Sequence, residues 1–147
     1  YLDNVVADLA TPLRLGIVDI LIFNPPYVPT SEMPNLPWMA AGTQTSQSSS
    51  FEDDSNLLSL AYAGGADGME TTYRLLGLLP GILSAHGVSY ILLCAQNKPE
   101  VVKEQIKAWG MDWHVETVGR SGKKAGWERL QIIRVWRSVT LPKSTAF

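Results

Sequence analysis

The chain has 147 residues and a mass of 16.1 kDa, with 46% apolar and 18% charged residues and a mean hydropathy of +0.03. That balance excludes wholesale disorder, and no apolar run approaches the length of a membrane span. The net charge of −2 joins unlike halves: residues 1–97 carry Arg14 and Arg74 against nine acids, whereas 98–147 carry ten Lys/Arg against five acids. The single cysteine, Cys94, excludes an internal disulfide and a multi-thiolate zinc site, so no metal ligand set is expected. Tyr1–Asp8 lacks the cationic start of a secretory signal, and the expected compartment is intracellular and reducing.

In chain order, Val5-Val6-Ala7-Asp8 is a short apolar run ending in an acid, the pattern of a buried strand. The stretch from Ile17 to Phe23 is a stronger strand, β-branched and nearly continuously apolar, as in a central parallel strand covered on both faces. Asn24-Pro25-Pro26 ends it, because proline lacks the N–H and fixes φ. Residues 30–55 hold prolines, a Thr/Gln/Ser tract and Glu52-Asp53-Asp54, and read as a mobile polar loop whose only sizeable apolar group is Trp38-Met39. Leu57–Ala63 reads as a short helix closed by Gly64-Gly65.

Asp67 reads as the N-cap of a helix whose apolar face is Met69, Tyr73, Leu76 and Leu79, with Pro80 near its end. Gly87–Cys94 is a second buried strand. Pro99 opens a helix through Val101, Val102, Ile106 and Trp109, which stops at Gly110. Met111–Val118 and Trp127–Arg137 are the last strands, joined by a loop at Gly119–Gly126, and 138–147 read as frayed. Strands alternating with helices predict an α/β layer with a mostly parallel sheet, and the closing β-β pair predicts an antiparallel edge. Lys98, Lys103, Lys107, Arg120, Lys123 and Lys124 form the basic part of the C-terminal half. They read as a solvated surface, with a nucleic-acid footprint as the alternative.

The informative tetrapeptide is Asn24-Pro25-Pro26-Tyr27 at the end of the strand, the edge where ligands of open α/β sheets collect. By average residue usage it arises by chance in roughly one chain of this length in a few thousand. A strand-terminating turn accounts for a proline, but not for an amide, two prolines and an aromatic together. A planar –NH₂ that must attack a methyl carbon accounts for all four. The Asn24 side-chain oxygen and the Pro25 carbonyl accept its two hydrogens, which orients the nitrogen and favours its developing positive charge. Pro25 and Pro26 stiffen the loop, and Tyr27 offers a flat face to the substrate plane.

Asn-Pro-Pro-Tyr after Asp19-Ile20-Leu21-Ile22-Phe23 resembles the amino-methyltransferases that use S-adenosylmethionine. More closely, the sequence resembles the HemK-type release-factor glutamine methyltransferases of the eukaryotic branch. Ala7-Asp8-Leu9 with Pro12-Leu13, Val18–Pro29, Ala61-Tyr62-Ala63-Gly64-Gly65 with Asp67-Gly68, and Leu83–Leu92 carry the likeness, which leaves out only the tract at 30–55. The resemblance implies a Rossmann-like class I methyltransferase fold and donor contacts from Asp8, Leu9 and Asn24. Asp8 would accept from the adenine amino group, and Asn24, Pro25, Pro26 and Tyr27 would form the catalytic loop. Gly64-Gly65 and Asp67-Gly68 match a stretch packed near that loop, where glycines permit close backbone approach.

The family's first strands and its acid-x-Gly-x-Gly turn have no counterpart here. The chain therefore reads as the C-terminal part, 1–147, of a single methyltransferase domain, with poor donor binding and little activity by itself. The resemblance further implies a protein substrate, the glutamine of a release-factor Gly-Gly-Gln motif, and a small zinc-binding activator subunit as heterodimer partner. It implies a cytoplasmic or nuclear location and no membrane association. The alternatives are lysine methylation, adenine N6-methylation of DNA or RNA, and a catalytically silent fragment.

Overall fold

A computed structural model describes residues 3–34, 58–122 and 129–138. Four runs of β-branched and apolar residues become strands: β1 (Val18–Phe23), β2 (Leu83–Cys94), β3 (Trp113–Arg120) and β4 (Leu130–Arg137). They form one sheet in the order β1-β2-β4-β3. β1 and β2 pair in parallel, and β4 runs antiparallel to both β2 and β3. Three strands thus share one direction, and β4 is inserted between two of them.

Helices α1 (Glu70–Ile82) and α2 (Pro99–Lys107) connect the strands that share a direction, as parallel neighbours require. Registry places Leu21, Ser89 and Val135 in one row and Phe23, Ile91 and Ile133 in the next, on the same face of the sheet. Ile91, Leu93, Ile133 and Val135 from this face join Leu75, Leu76, Leu79 and Ile82 of α1 and Val102 and Ile106 of α2 in the core. The opposite face has no such cover among the described residues. Ile20 and Ile22 are 66% and 81% exposed, and Ile132, in the row of Leu92, is also exposed.

Several expectations are corrected. Residues 5–8 form no strand: with no ladder partner for its backbone, the short Val5-Val6 run is exposed and Asp8 enters a turn, its carbonyl accepting from the Thr11 N–H. Among the described residues β1 lies at the edge of the sheet and is covered on one face. The closing β3–β4 pair is antiparallel and lies at one edge of the sheet, as expected, with β3 outermost and β4 returning to pair with β2. Tyr73 is exposed, and the buried stripe of α1 is Thr72, Leu75, Leu76, Leu79 and Ile82. Gly119 and Arg120 belong to β3 rather than a loop, and Val101 is exposed on α2.

Residues 58–62 are helical, followed by a parallel bridge from Ala63 to Val28. Leu57, Trp38-Met39, the tract through residue 55, Lys123-Lys124, Trp127 and the frayed end from residue 139 lie outside the described residues. β2 contains a local irregularity: Val18 pairs with Leu83, but Ile20 already pairs with Val88. The looped-out residues are tied down by Ser84, whose hydroxyl donates to the Asp19 carboxylate at 2.6 Å. No helix of the described residues is long and apolar enough to cross a membrane.

Candidate functional site

β1 and β2 both end at the same sheet edge, and the loop Asn24-Pro25-Pro26-Tyr27 leaves β1 there. Asn24 is exposed, Pro25 is buried, and Pro26 and Tyr27 are half-buried, so the loop presents its amide to solvent and leans its back on the protein. Neither proline has an N–H to pair. The chain is then anchored just beyond them: the Val28 N–H donates to the Tyr62 carbonyl at 2.9 Å and the Gly64 N–H donates to the Val28 carbonyl at 2.8 Å. Thr30 adds a two-way contact, its N–H donating to the Gly65 carbonyl and its hydroxyl accepting from the Gly65 N–H, both at 3.0 Å.

The segment behind the loop carries four glycine and acid positions read from the sequence. Gly64 and Gly68 make the close approach expected of them. A Cβ on Gly64 would stand 2.5 Å from the Pro26 carbonyl oxygen, and one on Gly68 only 2.0 Å from the Tyr27 carbonyl oxygen. Asp67 has a different role from the one expected. It lies in a short 3₁₀ turn, Ala66–Gly68, with φ 54°, and Met69 occupies the N-cap of α1 without a side-chain cap. The Asp67 carboxylate instead pairs with Lys98 Nζ at 2.7 Å. Glu70 takes over part of the capping work, its Oε1 accepting from the Ala66 N–H at 3.0 Å.

A residue not singled out in the sequence completes this arrangement. Asn97 ends the 3₁₀ turn Ala95–Asn97 that follows β2 and is 1% exposed. Its Nδ2 reaches the carbonyls of Tyr27 and Asp67 at 2.9 Å each. The signal that could have found it is its position: a short polar residue between the end of an apolar strand and a Lys-Pro helix start, where side-chain-to-backbone bonds are favoured.

Asp8 and Leu9 lie apart from this cluster in sequence, in the turn before β1. Leu9 adopts φ 53° and packs against the core, while the exposed Asp8 carboxylate is paired with Arg74 in the second turn of α1. An exposed pair of this kind is worth at most about 1 kcal/mol and exchanges readily for another donor. Asp8 and Asn24 are both exposed, so their side-chain oxygens are open to a ligand. Among the described residues a cavity of about 250 Å³ lies elsewhere, between α1 and α2, lined by Tyr73, Leu76, Gly77, Gln105, Ile106 and Trp109.

Four of the ten basic residues of the C-terminal half are paired with carboxylates among the described residues. Lys103 and Lys107 on α2 pair with Glu100 and Glu104, Lys98 with Asp67, and Arg134 with Glu116. Phosphate binding would have to displace these carboxylates, which favours the solvated-surface reading over a nucleic-acid footprint. Among the described residues no group of three or more His, Cys, Asp or Glu is placed to hold a metal ion.

No protein-family model matches the chain. Individual proteins do. It is 42% identical over 126 residues to the eRF1 methyltransferase catalytic subunit mtq2 of Schizosaccharomyces pombe, covering 85% of this chain and 46% of that protein. It is 29% identical over 141 residues to methyltransferase HEMK2 of Mus musculus, covering 94% of this chain and 56% of that one. A ribosomal protein uL3 glutamine methyltransferase of Bordetella pertussis is 39% identical over 81 residues, 55% of this chain and 22% of its own length. The mixed sheet and these similarities agree: the chain is similar to proteins named as methyltransferases, glutamine methyltransferases among them, and spans about half the length of the curated relatives it matches.

Proposed function

We propose that the protein to which this chain belongs transfers a methyl group to the side-chain amide nitrogen of a glutamine, in the Gly-Gly-Gln motif of a translation release factor. The observation that carries this reading is the Asn24-Pro25-Pro26-Tyr27 loop, exposed at Asn24 and fixed from behind, at the carboxyl end of β1. A glutamine amide is planar and its nitrogen lone pair is delocalised. Two acceptors, the Asn24 side-chain oxygen and the Pro25 carbonyl, bind its two N–H groups. They become better partners as the nitrogen gains positive charge, so they favour the transition state over the ground state. As the N–C bond forms, the methyl–sulfur bond of the sulfonium donor would break to leave a neutral thioether, and the methylated nitrogen would then release one of its protons to solvent. The Tyr27 ring limits rotation of the amide out of this plane.

S-adenosylmethionine supplies the methyl group, and Asp8, Leu9 and Asn24 are the residues of this chain that would contact it. The described residues leave β1 with an open outer edge and the exposed Ile20 and Ile22. The remaining half of the relatives' length supplies, in this reading, the strands and walls that cover that edge and grip the donor. A small zinc-binding activator subunit is the expected heterodimer partner of the intact enzyme.

The test is methylation of wild-type release factor, and of a factor with the motif glutamine replaced, by the intact protein with its activator. Methyl incorporation only into the wild-type factor is expected. Incorporation into both factors, or into an adenine-containing DNA or RNA alone, refutes the assignment. In the same assay Asn24→Ala should abolish transfer while leaving donor affinity within a few-fold; retained turnover would remove Asn24 from the mechanism.

A further inference from the structure

The catalytic loop has few means of holding its own shape. Its two prolines donate nothing, and its buried side offers carbonyl oxygens that must find donors. Asn97 supplies them. Its Oδ1 accepts the Cys94 N–H at 2.8 Å, which fixes the plane of the amide at the end of β2. Its Nδ2 then faces three carbonyls: Tyr27 and Asp67 at 2.9 Å each, and Gly68 at 3.3 Å. Only this orientation of the amide is possible, because the reverse would aim an oxygen at three oxygens and an N–H at an N–H. The side chain is buried, so water offers no substitute donor.

Asn97 therefore joins three parts of the chain: the catalytic loop, the turn before α1 and the end of β2. A Cβ on Gly68 would stand 2.0 Å from the same Tyr27 carbonyl oxygen and 2.7 Å from Asn97 Nδ2, a distance that leaves no room for a methyl group. We infer that Asn97 is a positioning residue for methyl transfer, acting through the Tyr27 carbonyl to hold the Asn24-Pro25 acceptors at reacting distance. It touches neither substrate nor donor. The inference rests on the methyltransferase reading for its kinetic consequence, and on the hydrogen-bond geometry alone for the clamp itself.

Three variants of the intact protein test it. Asn97→Ala removes both donors, and Asn97→Asp keeps the shape and size of the side chain while replacing the NH₂ by an acceptor. Both should lower kcat by roughly 100-fold, the scale expected of a displacement of about 1 Å, with KM within about 3-fold of wild type. A packing role would separate the two variants, sparing Asn97→Asp. Protonation of the introduced carboxyl restores one donor, so the ratio of Asn97→Asp activity to wild type should rise as the pH is lowered. Should Asn97→Ala not fold, Asn97→Gln, which keeps the amide one methylene further out, provides the same split between kcat and KM.

Amide hydrogen exchange provides a readout independent of the substrate. In Asn97→Asp the N–H groups of Val28 and Gly64 should exchange at least about 10-fold faster, since the loop they anchor has lost its clamp. Unchanged exchange overturns the clamp whatever the enzyme methylates. Faster exchange with kcat unchanged, or a rise in KM alone, overturns the positioning role. If wild-type protein transfers no methyl group to the release factor, the proposed function fails, while the exchange result still decides the clamp.

Discussion

Gly68→Ala is the substitution through which the packing behind the catalytic loop is most directly measured. Gly68 has φ +69°, a conformation costing an L-residue with a Cβ roughly 1–2 kcal/mol. The new methyl group would also lie 2.0 Å from the Tyr27 carbonyl oxygen, 2.7 Å from its carbon and 2.7 Å from Asn97 Nδ2. Relieving contacts this short with backbone moves Tyr27 away from Asn97 and leaves its part-buried carbonyl the weaker Cys94 Sγ donor at 3.9 Å, at a cost of roughly 1–3 kcal/mol. Together these terms predict a loss of roughly 2–5 kcal/mol, or a fall in Tm of roughly 4–20 °C at the 2–4 °C per kcal/mol of a medium-sized domain. Gly77 is the internal control. It lies in α1, and a Cβ there meets nothing within 4 Å. Gly77→Ala should therefore stabilise the protein by about 0.5–1 kcal/mol through helix propensity and a less flexible unfolded chain. Thermal and urea unfolding of the intact protein measure both. A Gly68→Ala variant that melts within about 2 °C of wild type, or a Gly77→Ala variant that falls as far, would refute the close-approach argument. Because Gly68 and Asn97 share one carbonyl, their double variant should also lose less than the sum of the single losses.

Two further outcomes follow from single buried or exposed groups. Ser89 is completely buried on the helix-covered face of β2, and its hydroxyl has no hydrogen-bond partner among the described residues; Ser89→Ala should raise stability by about 1 kcal/mol in urea titration. The Lys98–Asp67 pair is more than half exposed on both sides, so Lys98→Gln should change stability by no more than about 0.5 kcal/mol, with the difference vanishing in high salt.

Local pattern was sufficient for much of the fold. The continuous apolar run into Asn24-Pro25-Pro26 marked β1 and its end within a residue, because proline stops a ladder whatever surrounds it. Pro99 likewise marked the start of α2. What failed was what depends on neighbours distant in sequence. Val5 and Val6 have strand composition but no partner, and β1 has the composition of a covered strand while Ile20 and Ile22 face outward. The α1 stripe was read one position off, at Tyr73 rather than Thr72, because a polar threonine fully buried against a sheet leaves no apolar signal.

The candidate site divides in the same way. Asn24, Pro25, Pro26 and Tyr27 stand out in the sequence because they are contiguous, and the structure places them in the loop that leaves β1. The close approach at Gly64 and Gly68 was legible as glycine pairs. Asp67 was misread because a helix-cap pattern and a cross-loop ion pair use the same residue type, and only the position of Lys98 separates them. Asn97 was invisible because its importance lies in three carbonyls up to 70 positions away.

The place of β4 in the sheet has a consequence for how the chain is made. It follows the other three described strands in the chain, yet it lies between β2 and β3 and provides the hydrogen-bonding partners for both. Until it emerges from the ribosome, β2 and β3 wait with open edges, the state most exposed to mispairing with other chains. A premature stop anywhere before Leu130 would thus remove the seam of the sheet rather than trim its tail, leaving β3 with nothing to join. Assembly of this sheet waits on a strand that follows both of its neighbours in sequence, which makes its folding late, non-local and sensitive to the final residues of β4.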